Sequence, residues 1–233
     1  MYLLHVANWL LARLVSHPSG WLWIALSLAA GPLVHVLAPV GVLPGAGESS
    51  RLAYQVALLA GLSGAMLALA PLADNDWLLR LTGGPRRVVA QWAGVAIGAG
   101  LGSALGLLGC MPLLWHGETP WMPLIIALLL ATLHLAALGG MVLQLPATRP
   151  ARVLALPVLA WVLPSFLGSS SPIAGRLAAV LQVGRELEVL RDPSTPVLIA
   201  SIAPIIVLGL GVLMISGLPP RPIAPNNEIR RPR

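Results

Sequence analysis

The sequence predicts an all-α membrane protein that crosses the lipid bilayer six times. Only 9% of its 233 residues are charged, 57% are hydrophobic, and the mean hydropathy is +0.86. A soluble globular domain carries about 25% charged residues, so this composition favours a chain built mostly of apolar helices. Six apolar runs are long enough, or nearly so, to cross about 30 Å of hydrocarbon at about 1.5 Å per residue. They occupy residues 21–40, 52–72, 88–108, 123–142, 153–168 and 196–215.

The arginines predict the orientation of these spans, because short cytoplasmic loops collect positive charge. All fourteen cationic residues are arginines. Ten of them share one side if the N-terminus, the loops at 73–87 and 143–152, and the C-terminal tail are cytoplasmic. The four on the other side are Arg51, Arg176, Arg185 and Arg191. We therefore expect both termini inside the cell (N-in, C-in), and the scatter of the arginines argues against a nucleic-acid partner.

Three segments outside the six runs have patterns of their own. Residues 3–16 are apolar but interrupted by polar side chains, which predicts an amphipathic helix lying along the membrane interface. Residues 172–193 repeat apolar side chains at a helical period. They predict an outer-face helix between spans five and six, either external or dipping into the outer leaflet. The basic, Pro-rich stretch 219–233 predicts a cytoplasmic tail after a single membrane domain at 1–218.

The third span carries a stripe of glycines at a spacing of four residues. That spacing stacks the glycines on one helix face, where another backbone can approach closely. The stripe predicts helix packing within the bundle, and a moving or dimer-forming surface is the alternative. Its members are Gly94, Gly98, Gly102 and Gly106.

Few side chains in this sequence suggest covalent chemistry. Lysine is absent, which excludes the lysine-bearing phosphate loop of ATPases, and a single cysteine excludes an internal disulfide. We expect no catalytic residue, no metal and no cofactor, with a small intramembrane enzyme as the least favoured alternative.

Two sets of residues keep a functional alternative open. His35 and His134 lie within predicted spans, where a neutral histidine bonded to a neighbouring helix is expected and a functional group is the alternative. Near the outer end of spans three and four, a group of sulfur and imidazole side chains leaves contact with copper or haem iron as an alternative. These residues are Cys110, Met111, His116 and Met122.

A short charged segment interrupts the apolar pattern between spans two and three. Residues 74–82, DNDWLLRLT, predict two helical turns with Asp74 as the N-cap, ended by a Gly-Gly-Pro break. Trp77, Leu78 and Leu81 fall on one face of this helix. It is either an inert interfacial turn or a docking element that fits a groove on a soluble partner.

This layout resembles that of type-2 ABC exporter permeases. The shared features are six spans, cytoplasmic termini, an interfacial N-terminal helix, a charged helix between spans two and three, and a helical element after span five. Within that group the chain looks most like the haem exporter B subunit of cytochrome c maturation. The likeness lies in LLRLTGGPRRVVAQW at 78–92 and in the apolar, proline-containing stretch 127–168. The acidic Asp-Gly-x-Leu-Glu-Gln pattern that often precedes that family's coupling segment is replaced here by Ala73-Asp74-Asn75-Asp76.

The resemblance implies a permease subunit of an ABC transporter in the bacterial inner membrane. It implies that residues 75–82 are the first coupling helix and that 146–152 are a second cytoplasmic contact, both pressing on a separate ATP-binding subunit. Two permease chains, identical or different, would form the path. The implied contacts are Asp76, Trp77, Leu78, Arg80 and Leu81 in the first segment, and Arg149 and Arg152 in the second. The alternative is a non-transporting scaffold or assembly subunit of a larger membrane complex, such as cytochrome biogenesis or respiratory machinery.

Overall fold

The computed structural model describes residues 2–37, 46–73, 85–115, 119–145, 147–168 and 171–216. The regular secondary structure in these ranges is entirely helical. Helix α1 spans Tyr2–Ser16, α2 Pro18–Leu37, α3 Ala46–Ala73, α4 Pro85–Gly109 and α5 Met111–Leu114. Helix α6 spans Trp121–Leu143, α7 Arg149–Pro157, α8 Leu163–Leu167, α9 Pro172–Leu181, α10 Glu188–Arg191 and α11 Thr195–Ser216. A π-helical turn lies at Val158–Val162 and a 3-10 turn at Arg185–Leu187.

Five helical segments among the described residues are long and apolar enough to cross a membrane. They coincide with the second to sixth predicted runs, which confirms the prediction of an all-α, multi-pass membrane protein. Helix α2 covers residues 21–37 of the first predicted run and is not one of the five, so the sixth crossing and the orientation stay predictions. The five are Glu48–Leu72, Arg87–Gly109, Trp121–Leu143, Arg149–Leu167 and Thr195–Met214.

Helices α3 and α6 form the centre of the bundle, and α4 packs along α3. The centre is filled by leucine and alanine, with Leu69, Leu124 and Leu138 inaccessible to solvent. The outward faces of the outer helices expose large apolar side chains instead, among them Leu22 and Met214. An exterior of this kind suits contact with lipid chains, because a soluble monomer rarely exposes extended apolar surface.

The glycine stripe of α4 lies against α3. A Cβ atom added at Gly98 would lie 2.5 Å from the carbonyl oxygen of Gly64, and one added at Gly102 would overlap the carbonyl of Ala60. Two backbones can approach this closely only where no side chain intervenes. The stripe is therefore covered by α3 within this chain. Its other two members, Gly94 and Gly106, face Leu72 and Ala57.

The fifth span is irregular, because two prolines interrupt its hydrogen bonding. Pro157 ends α7 and Pro164 is the second residue of α8, with the π-helical turn between them. Proline has no backbone N–H, so Pro164 cannot bond to the carbonyl of Ala160 four residues earlier. The N–H of Val183 donates to that carbonyl instead, at 3.2 Å. The break in span five thus becomes an attachment point for the chain that follows it.

The outer segment 172–193 does not form one helix, so that part of the prediction is wrong. Helix α9 ends before Gln182, whose backbone is extended, and Gly184 has a φ of +109°. That left-handed conformation is open to glycine at little cost, and it turns the chain before the 3-10 turn and α10 begin. The apolar period in the sequence runs on across this point, so periodicity alone predicts a continuous helix where the backbone bends.

Candidate functional site

A buried polar network joins the outer segment to the centre of the bundle. His134 of α6, Glu186 of the 3-10 turn and Tyr54 of α3 are each 1% exposed. The distance from His134 Nδ1 to Glu186 Oε1 is 2.7 Å, and the Tyr54 hydroxyl donates to Glu186 Oε2 at 3.5 Å. Three elements that are distant in sequence therefore meet at one carboxyl group.

The same network holds the backbone of the outer segment at its bend. His134 Nε2 donates to the carbonyl oxygen of Val180 at 2.9 Å. Glu186 Oε2 accepts a hydrogen bond from the N–H of Gly184 at 2.8 Å. Buried backbone groups at a break in a helix lose their regular partners and must find others. The histidine and the glutamate supply two of those partners.

The fifth span holds the bend from another side. Trp161 Nε1 donates to the carbonyl of Val183 at 3.1 Å, while the Val183 N–H donates to Ala160. Both backbone polar groups of Val183 are therefore bonded to span five. The Val183 side chain is buried as well. The outer segment is thus fixed by spans two, four and five together.

The hydrogen-bond partners determine how many protons the His134–Glu186 pair holds. The Val180 carbonyl can only accept, so His134 Nε2 carries a proton. Two acceptors do not approach to 2.7 Å unless a proton lies between them, so a second proton lies between Nδ1 and Oε1. The pair is an imidazolium with a carboxylate, or an imidazole with a carboxylic acid, and is neutral in both forms. That neutrality explains how two ionisable groups can be buried together.

Sequence reasoning identified His134 but missed its partner. The apolar period of residues 172–193 places Glu186 among the charges on the outer side, whereas the structure buries it. Gly184 is the signal in the sequence that could have found the partner, because a helix break at a glycine changes which later side chains face inward. The other histidine of a predicted span, His35, lies in α2, and its side chain is outside the part of the chain that the structure describes.

The opposite end of the bundle carries arginines that the sequence assigns to the cytoplasm. A cavity of about 180 Å³ brings together Arg13 of α1, Pro71 of α3 and Arg149 of α7. Arg152 Nε donates to the carbonyl of Leu145 at 3.0 Å, which closes the connection between α6 and α7. The structure therefore places Arg149 beside the end of α3 and uses Arg152 in part to shape its own loop.

The predicted first coupling helix lies outside the described residues, and with it Asp76, Trp77, Leu78, Arg80 and Leu81. The two points where this segment joins the bundle are described. Pro71, near the end of α3, lines the same cavity as Arg149. Gln91, one turn after Arg87 in α4, accepts a hydrogen bond at 3.1 Å from Gln144, which directly follows α6. Both attachment points therefore lie at the end of the bundle that carries Arg149 and Arg152.

The sulfur side chains near the outer end of spans three and four do not share one environment. Cys110 is fully buried, whereas Met122 is 71% exposed. Burial raises the pKa of the Cys110 thiol to about 11, which keeps the sulfur protonated and a poor ligand. His116 lies outside the described residues. Within the described ranges, no three His, Cys, Asp or Glu side chains are grouped so that they could hold a metal ion.

These features define an all-α, multi-pass membrane protein with a buried polar network towards one end and clustered arginines at the other. No protein-family model, no curated protein and no solved structure matches the chain. The function must therefore be inferred from the geometry of the two ends.

Proposed function

We propose that this protein is the permease subunit of an ABC transporter in a bacterial inner membrane. It crosses the membrane six times, with both termini in the cytoplasm. Two permease chains form the path, and a separate subunit binds and hydrolyses ATP. The chain itself moves a substrate and makes or breaks no covalent bond.

The supporting observation is that the two helix ends flanking residues 74–84 lie beside the second segment expected to contact the ATPase. Pro71 and Arg149 line one cavity, and Gln91 near the start of α4 accepts a hydrogen bond from Gln144, which directly follows α6. Helix α3 ends at Ala73 and α4 begins at Pro85, both at this end of the bundle. A soluble subunit docked at this end would touch residues 74–84 and the start of α7 at the same time, as a coupling interface requires.

Helices α3 and α4 also connect this end of the bundle rigidly to the other end. Helix α3 has 28 residues and extends about 42 Å at about 1.5 Å per residue. Its contact with α4 along the glycine stripe makes the two helices a stiff pair. Near its far end, Tyr54 meets Glu186 and His134. Displacement of the α3–α4 pair would therefore act on the outer segment and on the broken fifth span, the kind of interrupted helix found at transporter binding sites.

Purification of the tagged full chain from its own host tests this proposal. A permease should be recovered with a second protein that carries a lysine-bearing phosphate loop, in a near-equal ratio. The complex should hydrolyse ATP, and vanadate should inhibit it. A stable complex that contains no nucleotide-hydrolysing chain would contradict the proposal and favour the scaffold alternative.

A further inference from the structure

We propose that the end of the bundle opposite Arg149 binds the anionic headgroup of a membrane lipid. Two cavities of about 450 and 520 Å³ lie there, and Arg51, Leu187 and Arg191 line both of them. Arg51 is near the start of α3 and Pro71 near its end, so the cavities lie a helix length from the arginines at the other end. This binding does not depend on whether the chain is a permease.

Positive charge is in excess along the walls of the two cavities. Arg51, Arg185 and Arg191 line them, against Glu48 and Glu188. Arg185 lies 4.0 Å from Glu188, whereas neither Arg51 nor Arg191 forms a salt bridge within the described residues. A guanidinium with no carboxylate partner presents several N–H donors in a geometry that suits a phosphate. These two arginines are therefore the expected headgroup contacts.

The bonded backbone beside the first cavity holds this wall in place. Gly184 and Leu187 both line that cavity. The Gly184 N–H is bonded to the buried Glu186 carboxyl, and the Leu187 N–H donates to the Gly184 carbonyl at 3.1 Å. A site that is already ordered loses less conformational freedom when it binds a ligand. The His134–Glu186 network thus pre-forms the segment that presents Arg185 to the cavity.

The rest of the lining favours a lipid over a soluble anion. Ala178 in the first cavity and Leu190 in the second are apolar. Helix α9 borders the first cavity and exposes Ile173, whose accessibility is 82%. Arg51 lies at the start of the span Glu48–Leu72, the depth at which headgroups meet hydrocarbon. A phosphate bound by the arginines would leave its acyl chains along this apolar surface, as in basic lipid pockets between membrane helices.

Native mass spectrometry of the delipidated full chain tests the proposal. The protein is titrated with phosphatidylglycerol and with phosphatidylcholine of the same acyl chains. Phosphatidylglycerol should bind about tenfold more tightly, and added sodium chloride should reduce the difference. Equal affinity for the two lipids would overturn the proposal, and this comparison requires no variant. Displacement of phosphatidylglycerol by inorganic phosphate would also overturn it, because the site would then bind a soluble anion.

A pair of variants assigns the binding to the two cavities. The double variant R51Q/R191Q should lose about tenfold in phosphatidylglycerol affinity, since each surface arginine adds attraction to an anionic headgroup. R176Q is the matched control, because Arg176 is an exposed arginine of α9 that lines neither cavity. Its affinity should stay within about twofold of the parent. If the double variant melts at a lower temperature than the parent protein, the single variants R51Q and R191Q are measured instead. Full affinity in these variants would contradict the assignment.

Discussion

His134 and Glu186 are 52 residues apart in sequence, and their side chains lie 2.7 Å apart in a site that excludes solvent. The pair joins the fourth span to the segment that returns to the bundle after the fifth. A buried ion pair is weak evidence for net stability, but the loss of one partner leaves the other unpaired at a cost of about 3–5 kcal/mol. The pair therefore determines where the outer segment lies more than it adds to overall stability.

Glu186→Ala should destabilise the protein by about 3–5 kcal/mol, because His134 Nδ1 and the Gly184 N–H both lose their partner. Unfolding in mixed micelles measures the change. Glu186→Gln should cost less, since the amide can still donate to a neutral imidazole and accept from Gly184. Glu188→Gln is the control: its carboxylate is exposed and 4.0 Å from Arg185, so the change should stay within about 0.5 kcal/mol. Equal effects at Glu186 and Glu188 would show that the buried pair has no special role.

The spans were predictable from sequence for a simple physical reason. Within hydrocarbon, the backbone polar groups of a single segment must bond to each other. An apolar run of about twenty residues therefore crosses the membrane as a helix. The run 123–142 corresponds to Trp121–Leu143, and the run 88–108 to Pro85–Gly109. The packing role of the glycines at four-residue spacing was also predictable, because that spacing defines one helix face whatever the fold.

Beyond the helix break that Gly184 signals, the polar network was not predictable from local sequence. Glu186 is buried because Gly184 bends the backbone and because His134, Tyr54 and the Gly184 N–H surround the carboxyl group. None of these partners lies at a fixed helical spacing from Glu186. The bond from Val183 to span five likewise depends on tertiary contact. Helical periodicity describes one continuous helix and carries no information about where a bent segment meets other spans.

Gly102→Ala should weaken the packing of α3 against α4. The new Cβ would overlap the backbone carbonyl of Ala60, which cannot move without separating the two helices. Gly100→Ala is the matched control on the same helix, because its Cβ would meet only Thr132, at 3.7 Å. We expect the control to leave stability unchanged or to raise it by up to about 1 kcal/mol through helix propensity. Thermal unfolding in detergent compares the two variants. Equal melting temperatures would mean that the close contact tolerates a methyl group.

Cysteine labelling tests the orientation. Cysteines at Glu48 and Asp192, which are exposed, should react with an impermeant maleimide in intact cells. Cysteines at Ala147, which is exposed at the other end, and at Thr82 should react only after the membrane is permeabilised. Labelling at Ala147 in intact cells would overturn the assignment of that end to the cytoplasm. Parent protein carrying only the buried Cys110 gives the background signal.

Cys110 should itself be unreactive in the folded protein. The thiolate is the reacting form, and burial raises the pKa of this thiol to about 11. A permeant maleimide should therefore modify it slowly at pH 7, faster as the pH approaches 11, and rapidly at pH 7 once the chain is unfolded. The raised pKa means that the folded state favours the neutral thiol over the thiolate. The buried neutral thiol therefore contributes fully to the free energy of unfolding below the ordinary thiol pKa of about 8.5, and this contribution declines as the pH rises towards 11. Rapid modification at pH 7 would show that Cys110 is accessible.

The segment 74–84 decides between a permease and a scaffold. If Trp77 and Leu81 enter a groove on an ATPase, their truncation to alanine should remove contacts that commonly cost about 2 kcal/mol or more each. The variant should still insert, since the spans are unchanged, but the ATPase should no longer co-purify and transport should stop. Trp115→Ala is the control, because Trp115 is a highly exposed tryptophan outside this segment, and its loss should leave recovery unchanged.

An inert interfacial turn gives a different result from the same variants. Trp77 and Leu81 would then face lipid headgroups, and their truncation would leave any partner bound. Charge reversal at Arg80 separates the two cases further, because a charge at the rim of an interface changes mainly the association rate and its salt dependence. In a coupling helix, Arg80→Glu should slow reassembly of the ATPase with the membrane subunit, most strongly at low salt. Unchanged recovery of the ATPase with the double-alanine variant would place the docking surface elsewhere, with Arg149 at the start of α7 the next position to alter.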